Sequence, residues 1–426
     1  MFMKCKVTVD TSHYPKEWPW ELPRGWAWST IEDISNCILY GVSESAKSTG
    51  SYKLLRITDI QEGKVDWDKV PFTDFDENKA EKYLLNDGDI LFARTGATVG
   101  KSYLTSEVPQ AALFASYLIR VRYSNLMSPQ YVKLFFESGY YWEQISSSSV
   151  GVGQPNVNGT SLGKLKIPIP PVAEQHRVAE EAYKLINNID ELDCYAEALN
   201  QDITATKSTI IDLAVHGKLV PQDPSDEPAI DLLKRINPDF VPSDNLHYKD
   251  CPKGWIIVTV ADVFEINPKI QGDEDADAGF VPMTNIRDGF CNMFSFEVRK
   301  WAKIKNGFTR FANGDIAVAK ISPCLENRKS VIMRDLPNGI GAGTTELNIF
   351  RSRVVDPEYG LLFFKSKYFI NSCAGSYNGV VGQQRVSRSL IEEMQFLLPP
   401  LEEQKRIVAT INEYFAVINE ISYSLQ

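Results

Sequence analysis

VAEEAYKLINNIDELDCYAEALNQDITATKSTIIDL, residues 178–213, carries one residue of a seam at every third or fourth position. The seam is Val178, Ala182, Leu185, Ile189, Leu192, Ala196, Leu199, Ile203, Thr206, Ile210 and Leu213, with Thr206 its one polar member. A spacing that alternates four and three is the 3.5-residue period of a helix that buries a narrow seam against a second helix. At 1.5 Å per residue such a helix is roughly 50 Å long. That is too long and too thinly apolar for an ordinary core helix, so it reads as a rod that needs a partner.

The partner is predicted at the other end of the chain, where Ile407, Ile411, Tyr414, Ile418, Ile421 and Leu425 repeat the spacing. Val178 and Ile407 lie 229 positions apart, and each seam follows the same phrase, PPVAEQHR at 170–177 and PPLEEQKR at 399–406. A diproline disfavours helix before it and permits helix start after it. The glutamates then fall in the first turn, where the helix dipole favours them. This is an internal duplication, and it extends further. PRGW at 23–26 returns as PKGW at 252–255, and GDILFAR at 88–94 as GDIAVAK at 314–320. Each block predicts three β-rich runs and then a helix, over 129–145 in the first and 357–369 in the second. The segment 215–228 (VHGKLVPQDPSDEP) ends the rod at Gly217 and reads as a linker, with one short helix predicted over 229–236.

Composition narrows the function. No apolar run is long enough to span a bilayer, and the start of the chain lacks the apolar core of a signal peptide, so a cytoplasmic protein is expected. Residues 1–22, with Tyr14, Pro15, Trp18 and Trp20, read as an ordered extended arm. The seven cysteines include no CxxC pair, which points to reduced thiols and no zinc site. The net charge of −10 is unevenly spread: 171–246 holds 6 basic and 15 acidic residues, whereas 1–170 (18 and 19) and 247–398 (19 and 17) are near neutral. The acidity therefore belongs mainly to the helical part, and a basic face stays open to each block. No Walker A loop, no GxGxxG at a strand–helix turn and no HExxH is present, and His13, His176, His216 and His247 form no ligand spacing. The chain is expected to bind and position, with no catalysis and no metal of its own.

Two similar blocks on one rod suit a ligand with two separated sites, such as a DNA duplex. Candidate contacts lie in the loop after the second strand of each block. They are Arg94, Thr95, Gly96, Lys101 and Ser102 in the first, and Lys320, Ser322, Arg328 and Lys329 in the second. Glycines let backbone N–H groups approach phosphate and the cations supply charge. Gln154, Asn156, Gln383, Gln384 and Arg385, in the paired VGQPNV and VGQQRV turns, carry amides and a guanidinium suited to base edges.

In these paired phrases, with HGKLVPQDPSDEP at 216–228, nearly the whole chain resembles the specificity subunit of type I restriction–modification systems. The resemblance implies an α/β (α+β) fold with two similar target recognition domains, each a twisted, mostly β domain with helices, separated by a long antiparallel two-helix coiled coil. It divides the chain into recognition domain 1 (1–170, arm 1–22), a central helical region (171–220), a linker (221–251), recognition domain 2 (252–398) and a short C-terminal helical region (399–426). Each domain would read one half of a bipartite double-stranded DNA site. The coiled-coil seam (Leu185, Ile189, Leu192, Leu199, Ile203 and Ile210 with Ile411, Tyr414, Ile418 and Ile421) would set the gap. Two modification subunits using S-adenosylmethionine and restriction subunits using ATP and Mg²⁺ would be the partners, with no cofactor on this chain. At a constant offset of 229 the second helix stops short of the first, which predicts that part of the 199–213 seam is left for another partner. The second reading is a coiled-coil assembly scaffold with two duplicated modules that bind protein or glycan and no DNA.

Overall fold

The structure, a computed structural model, describes residues 19–148, 157–241, 251–374 and 385–424. The chain divides into two compact units at Leu192/Asp193.

In the first unit the strands are β1 (Ala27–Thr30), β2 (Ser35–Tyr40), β3 (Tyr52–Leu55), β4 (Ile60–Gln61), β5 (Lys64–Val65), β6 (Phe72–Thr73), β7 (Ile90–Ala93), β8 (Ser102–Leu104), β9 (Ala112–Phe114), β10 (Leu118–Tyr123) and β11 (Lys166–Ile169). The helices are α1 (Glu77–Ala80), α2 (Pro129–Phe135), α3 (Gly139–Ser148), α4 (Gly159–Gly163) and the first part of α5 (Val172–Val215). One sheet runs β2-β10-β7-β8 and a second β6-β3-β9, with β3 and β9 parallel. All four residues of β7 are buried. Ile90 and Phe92 point into one core with Tyr131, Val132 and Phe136, while Leu91 points into another with Leu55, Phe114 and Leu118. A strand covered on both faces reads as a continuous apolar run, which is why ILFA shows no alternation.

The second unit repeats this plan with β12 (Ile256–Thr259), β13 (Phe264–Ile266), β14 (Asp277–Val281), β15 (Glu297–Lys300), β16 (Thr309–Ala312), β17 (Ile316–Ala319), β18 (Ser330–Ile332), β19 (Ile340–Gly343), β20 (Leu347–Ser352) and β21 (Gln395–Leu398). Its sheets run β13-β20-β17-β18 and β15-β14-β19-β16, again with one parallel pair, β14 and β19. Its helices are the rest of α5, then α6 (Ala229–Ile236), α7 (Val260–Val263), α8 (Trp301–Ile304), α9 (Pro357–Lys365), α10 (Lys367–Ala374), α11 (Arg388–Glu393) and α12 (Leu401–Tyr423).

The paired phrases have structural causes. In each Gly-Asp-Ile the glycine sits at positive φ (Gly88 +87°, Gly314 +89°), where a side chain is strained. The buried aspartate beside it accepts two bonds from an arginine on the neighbouring strand: Arg122 to Asp89 (2.7 and 2.7 Å) and Arg351 to Asp315 (2.8 and 2.9 Å). In each PPxxEQxR the glutamine is buried. Gln175 Oε1 accepts from Ser128 N and its Nε2 donates to Pro170 O; Gln404 does the same with Asp356 N and Pro399 O. These amides tie the start of each rod helix to the cap of α2 or α9. The linker phrase docks on the second copy: Gln222 Nε2 and Trp255 Nε1 donate to Glu403, and Arg406 pairs with Asp226.

Two expectations are corrected. The helix predicted over 129–145 is two, α2 and α3, and that over 357–369 is likewise α9 and α10. The break comes at Ser138 and Ser366, whose hydroxyls accept from Tyr141 N and Phe369 N and so start a new helix. The antiparallel pairing is as expected, but the bare end of the seam is not the one predicted. Within the second unit α12 runs antiparallel to the end of α5: Gln222 meets Glu403, while Lys207 meets Phe415 and Asn419. Ile211, Ala214 and Val215 share a core with Ile407 and Ile411. Leu199, Ile203, Ile210 and Ile418 are half-buried. The bare stretch is therefore not 199–213 but its other end, where Leu185, Ile189, Leu192 and Tyr195 are exposed; Tyr414 and Ile421 are half exposed. A 3.5-residue period fixes which residues face a partner helix and leaves its direction open.

Candidate nucleic-acid interface

In the first unit Arg94 follows β7 directly. Its N–H donates to Tyr117 O (3.1 Å) and its carbonyl accepts from Val157 N (3.1 Å), so the backbone is fixed from two sides. Its guanidinium lies 5.0 Å from the centre of the Tyr40 ring, and its buried Nε has no partner among the described residues. Thr95 is half-buried, and Gly96 (φ +81°) is exposed with open space where a Cβ would sit. Gly100 (φ +81°) is pressed on the Trp142 ring, 3.0 Å from an added Cβ. Lys101 is exposed and Ser102 opens β8. The strand end thus presents Arg94, a glycine-opened turn and Lys101. Tyr117, 62 % exposed, lies next to it, and with Arg56, Thr58 and Ser116 it lines a cleft that also takes in Glu44. Gln154 and Asn156 lie outside the described residues.

In the second unit Lys320 holds the matching place. Its N–H donates to Glu346 O and its carbonyl accepts from Val386 N. Arg385 grips the Glu346 carboxylate with two bonds (2.8 and 2.7 Å), and this guanidinium holds the carboxyl below the usual range. Ser322 donates to Glu326. Gln383 and Gln384 lie outside the described residues.

Arg328 and Lys329 are half-buried and their polar ends turn inward. Lys329 donates to Met283 O and Ile286 O and pairs with Asp288, while Arg328 donates to Lys365 O and Ser208 Oγ. The loop's cations looked like contact residues because a basic run is solvated by default. Here burial and carbonyl acceptors claim two of them. Conversely, the structure sets Tyr40 and Tyr117 beside Arg94, where a tyrosine in a strand-rich run reads from sequence as core.

Lys365 lies deep in this node, donating to Gly289 O (2.6 Å) and Arg328 O (2.9 Å). Burial pushes its ammonium down to about 7. The folded chain then sheds that proton before the unfolded chain does, so the lysine's contribution to stability rises with pH above about 7. Relative to Lys365→Met, the wild-type chain is expected to gain up to about 1.4 kcal/mol per pH unit between pH 7 and 9, read from denaturant melts. A constant difference across that range would contradict a buried, titrating amine.

Among the described residues no group of three His, Cys, Asp or Glu is placed to hold a metal ion. Among the same residues no helix is long and apolar enough to cross a membrane. Both sites offer donors and cations at the end of a fully buried strand, and the first adds the Tyr40 and Tyr117 rings.

The model of the type I restriction modification DNA specificity domain matches residues 23–193 and again 252–425. The chain belongs to the type I restriction–modification specificity subunits. The EcoAI specificity subunit of Escherichia coli is 40 % identical over 238 residues, 51 % of this chain and 40 % of that protein, so the match spans well under half of that relative's length. The EcoKI specificity subunit of Escherichia coli K12 is 25 % identical over 94 % of this chain and 84 % of its own. The fold is shared with the HsdS subunit from Thermoanaerobacter tengcongensis (TM-score 0.55, 17 % identity, 96 % and 93 % covered). It is shared also with a chain from work on complex assembly and conformational transition of the type I R-M system (TM-score 0.65, 16 % identity, 96 % and 94 % covered). The two matched segments of this specificity subunit are the two copies of the duplication.

Proposed function

We propose that this specificity subunit selects a bipartite site in double-stranded DNA, one half per recognition domain, and performs no bond chemistry itself. The observation that carries the reading is the repeat. Both units build the same four-stranded sheet order (β2-β10-β7-β8 and β13-β20-β17-β18) and end the equivalent strand on a cation, Arg94 or Lys320, held by the same two backbone bonds. The loops that follow differ, so the half-sites should differ. Arg94, Thr95, Gly96, Lys101 and Ser102 with Tyr117 form the proposed contact surface of domain 1, and Lys320, Ser322 and Arg385 that of domain 2. Gln154, Asn156, Gln383 and Gln384 complete the proposal from sequence. Domain limits at 170, 251 and 398 follow the duplication.

The helical region is the proposed spacer and the docking site for two modification subunits. Its bare Leu185–Leu192 stretch offers them apolar surface. S-adenosylmethionine, ATP and Mg²⁺ belong to those and the restriction subunits, in the cytoplasm. Methylation mapping of the host genome is expected to show a split motif. Binding of a duplex bearing it should weaken steeply with salt. Removing one heptad from each rod helix shortens the spacer by roughly 10 Å. At 3.4 Å per base pair the preferred gap should fall by about three. A preferred gap unchanged by that deletion would remove the spacer role, and salt-insensitive binding would favour the scaffold without DNA.

A further inference from the structure

Arg328 carries an anomaly that its role in the loop does not explain. It sits at φ +58°, in the left-handed region. The duplication aligns it with Gly100 of the first unit, which has φ +81° and needs no side chain. A non-glycine residue there is strained, and such strain persists where the surroundings use the side chain. Those surroundings are well defined. The Arg328 guanidinium lies 4.7 Å from the centre of the Phe290 ring, and Phe290 meets Phe415 of α12 edge to face at 5.8 Å. Arg328 Nη2 donates to Ser208 of α5 (3.4 Å), and its Nε donates to Lys365 O (3.1 Å), while Lys365 Nζ returns a bond to Arg328 O. On the helices' side Lys207 faces Phe415 and donates to Asn419 (2.6 Å). One side chain of the β17–β18 loop thus touches the end of α9, the 288–291 loop and the rod.

We propose that Arg328 is a positioning residue that fixes the angle of recognition domain 2 on the helical spacer, and so sharpens the gap that the subunit accepts. The inference rests on the split-site reading above. The polar contacts matter because apolar packing of Ile211 and Ile411 alone permits small rotations, while a stacked, hydrogen-bonded guanidinium selects one. One base pair of gap is a rise of about 3.4 Å plus a turn of roughly 34°, so a small change of domain angle is felt at the half-site.

The test uses the full chain with its modification subunits and duplexes carrying the mapped motif at its native gap and at one base pair more or less. Arg328→Gly is the informative variant, because glycine suits the backbone and relieves the strain. Its melting temperature is expected to match the wild type or exceed it. Its preference for the native gap over the altered ones should fall by about fivefold, since the looser domain needs less DNA distortion to reach the wrong spacing. Phe290→Ala should act in the same direction. Arg328→Gly with wild-type gap preference overturns the proposal. So does an equal loss at every gap with a lower salt slope, which would make Arg328 a phosphate contact. A wild-type complex with no gap preference at all instead overturns the spacer reading on which the inference stands.

Discussion

Asp315→Ala is expected to destabilise the second recognition domain by about 3 kcal/mol, the low end of the range for breaking a buried pair, because the Arg351 left behind is 36 % exposed. The carboxylate is 1 % exposed and accepts three bonds: two from Arg351 and one from Ala312 N. Alanine leaves the guanidinium on β20 and the Ala312 N–H without it, and opens a cavity beside Ile316. The melting transition of that domain should fall by roughly 10 °C, given 2–4 °C per kcal/mol at this size. Adding Arg351→Met should restore part of the loss, since the charge no longer lacks a partner. Asp89→Ala should act alike in the first domain, where Arg122 holds Asp89 in the same way. A loss under about 1 kcal/mol would mean that the pair is surface-like and the shared Gly-Asp-Ile phrase has another cause.

The duplication itself was legible, because its marks are local: a glycine that must turn, a diproline that must precede a helix, a seam of period 3.5. What those marks do was not. Asp89 and Asp315 look like any acidic turn residue until the strand pairing places Arg122 and Arg351 beside them. Which end of α5 the shorter α12 leaves bare was likewise hidden. A constant offset between two phrases says that the copies are alike and leaves open how α12 lies on α5. Hence the bare end of the seam was placed at 199–213, whereas it falls at 185–195. The interface was half legible. Arg94 and Lys320 stand at strand ends that the sequence announces. The inward partners of the half-buried Arg328 and Lys329, namely Phe290, Ser208 and the carbonyls of Met283 and Ile286, are all remote in sequence and so were not legible. The clue in the sequence is Gly100. Where one copy has glycine and the other arginine, the backbone need is shared and the side chain is the addition.

The glutamine clamps give the other large effect, and a sharper test of the repeat. Gln404→Met keeps the volume but removes both bonds, leaving Asp356 N–H and Pro399 C=O without their partner in a buried place. Each orphaned group costs about 1–3 kcal/mol, so a loss of about 3 kcal/mol is expected. Gln175→Met strands Ser128 N–H and Pro170 C=O through bonds of 2.9 and 3.0 Å, against 2.7 and 3.0 Å in the second unit. The two substitutions should therefore cost the same within about 1 kcal/mol. A chain of two units need not unfold in one step, so a single melting curve would blur the comparison. Amide exchange separates them: protection should fall in 357–374 for Gln404→Met and in 129–148 for Gln175→Met, with the other unit unchanged. Loss in both units from either change would mean that they unfold as one, and the glutamines would then report the stability of the whole chain rather than of their own domains.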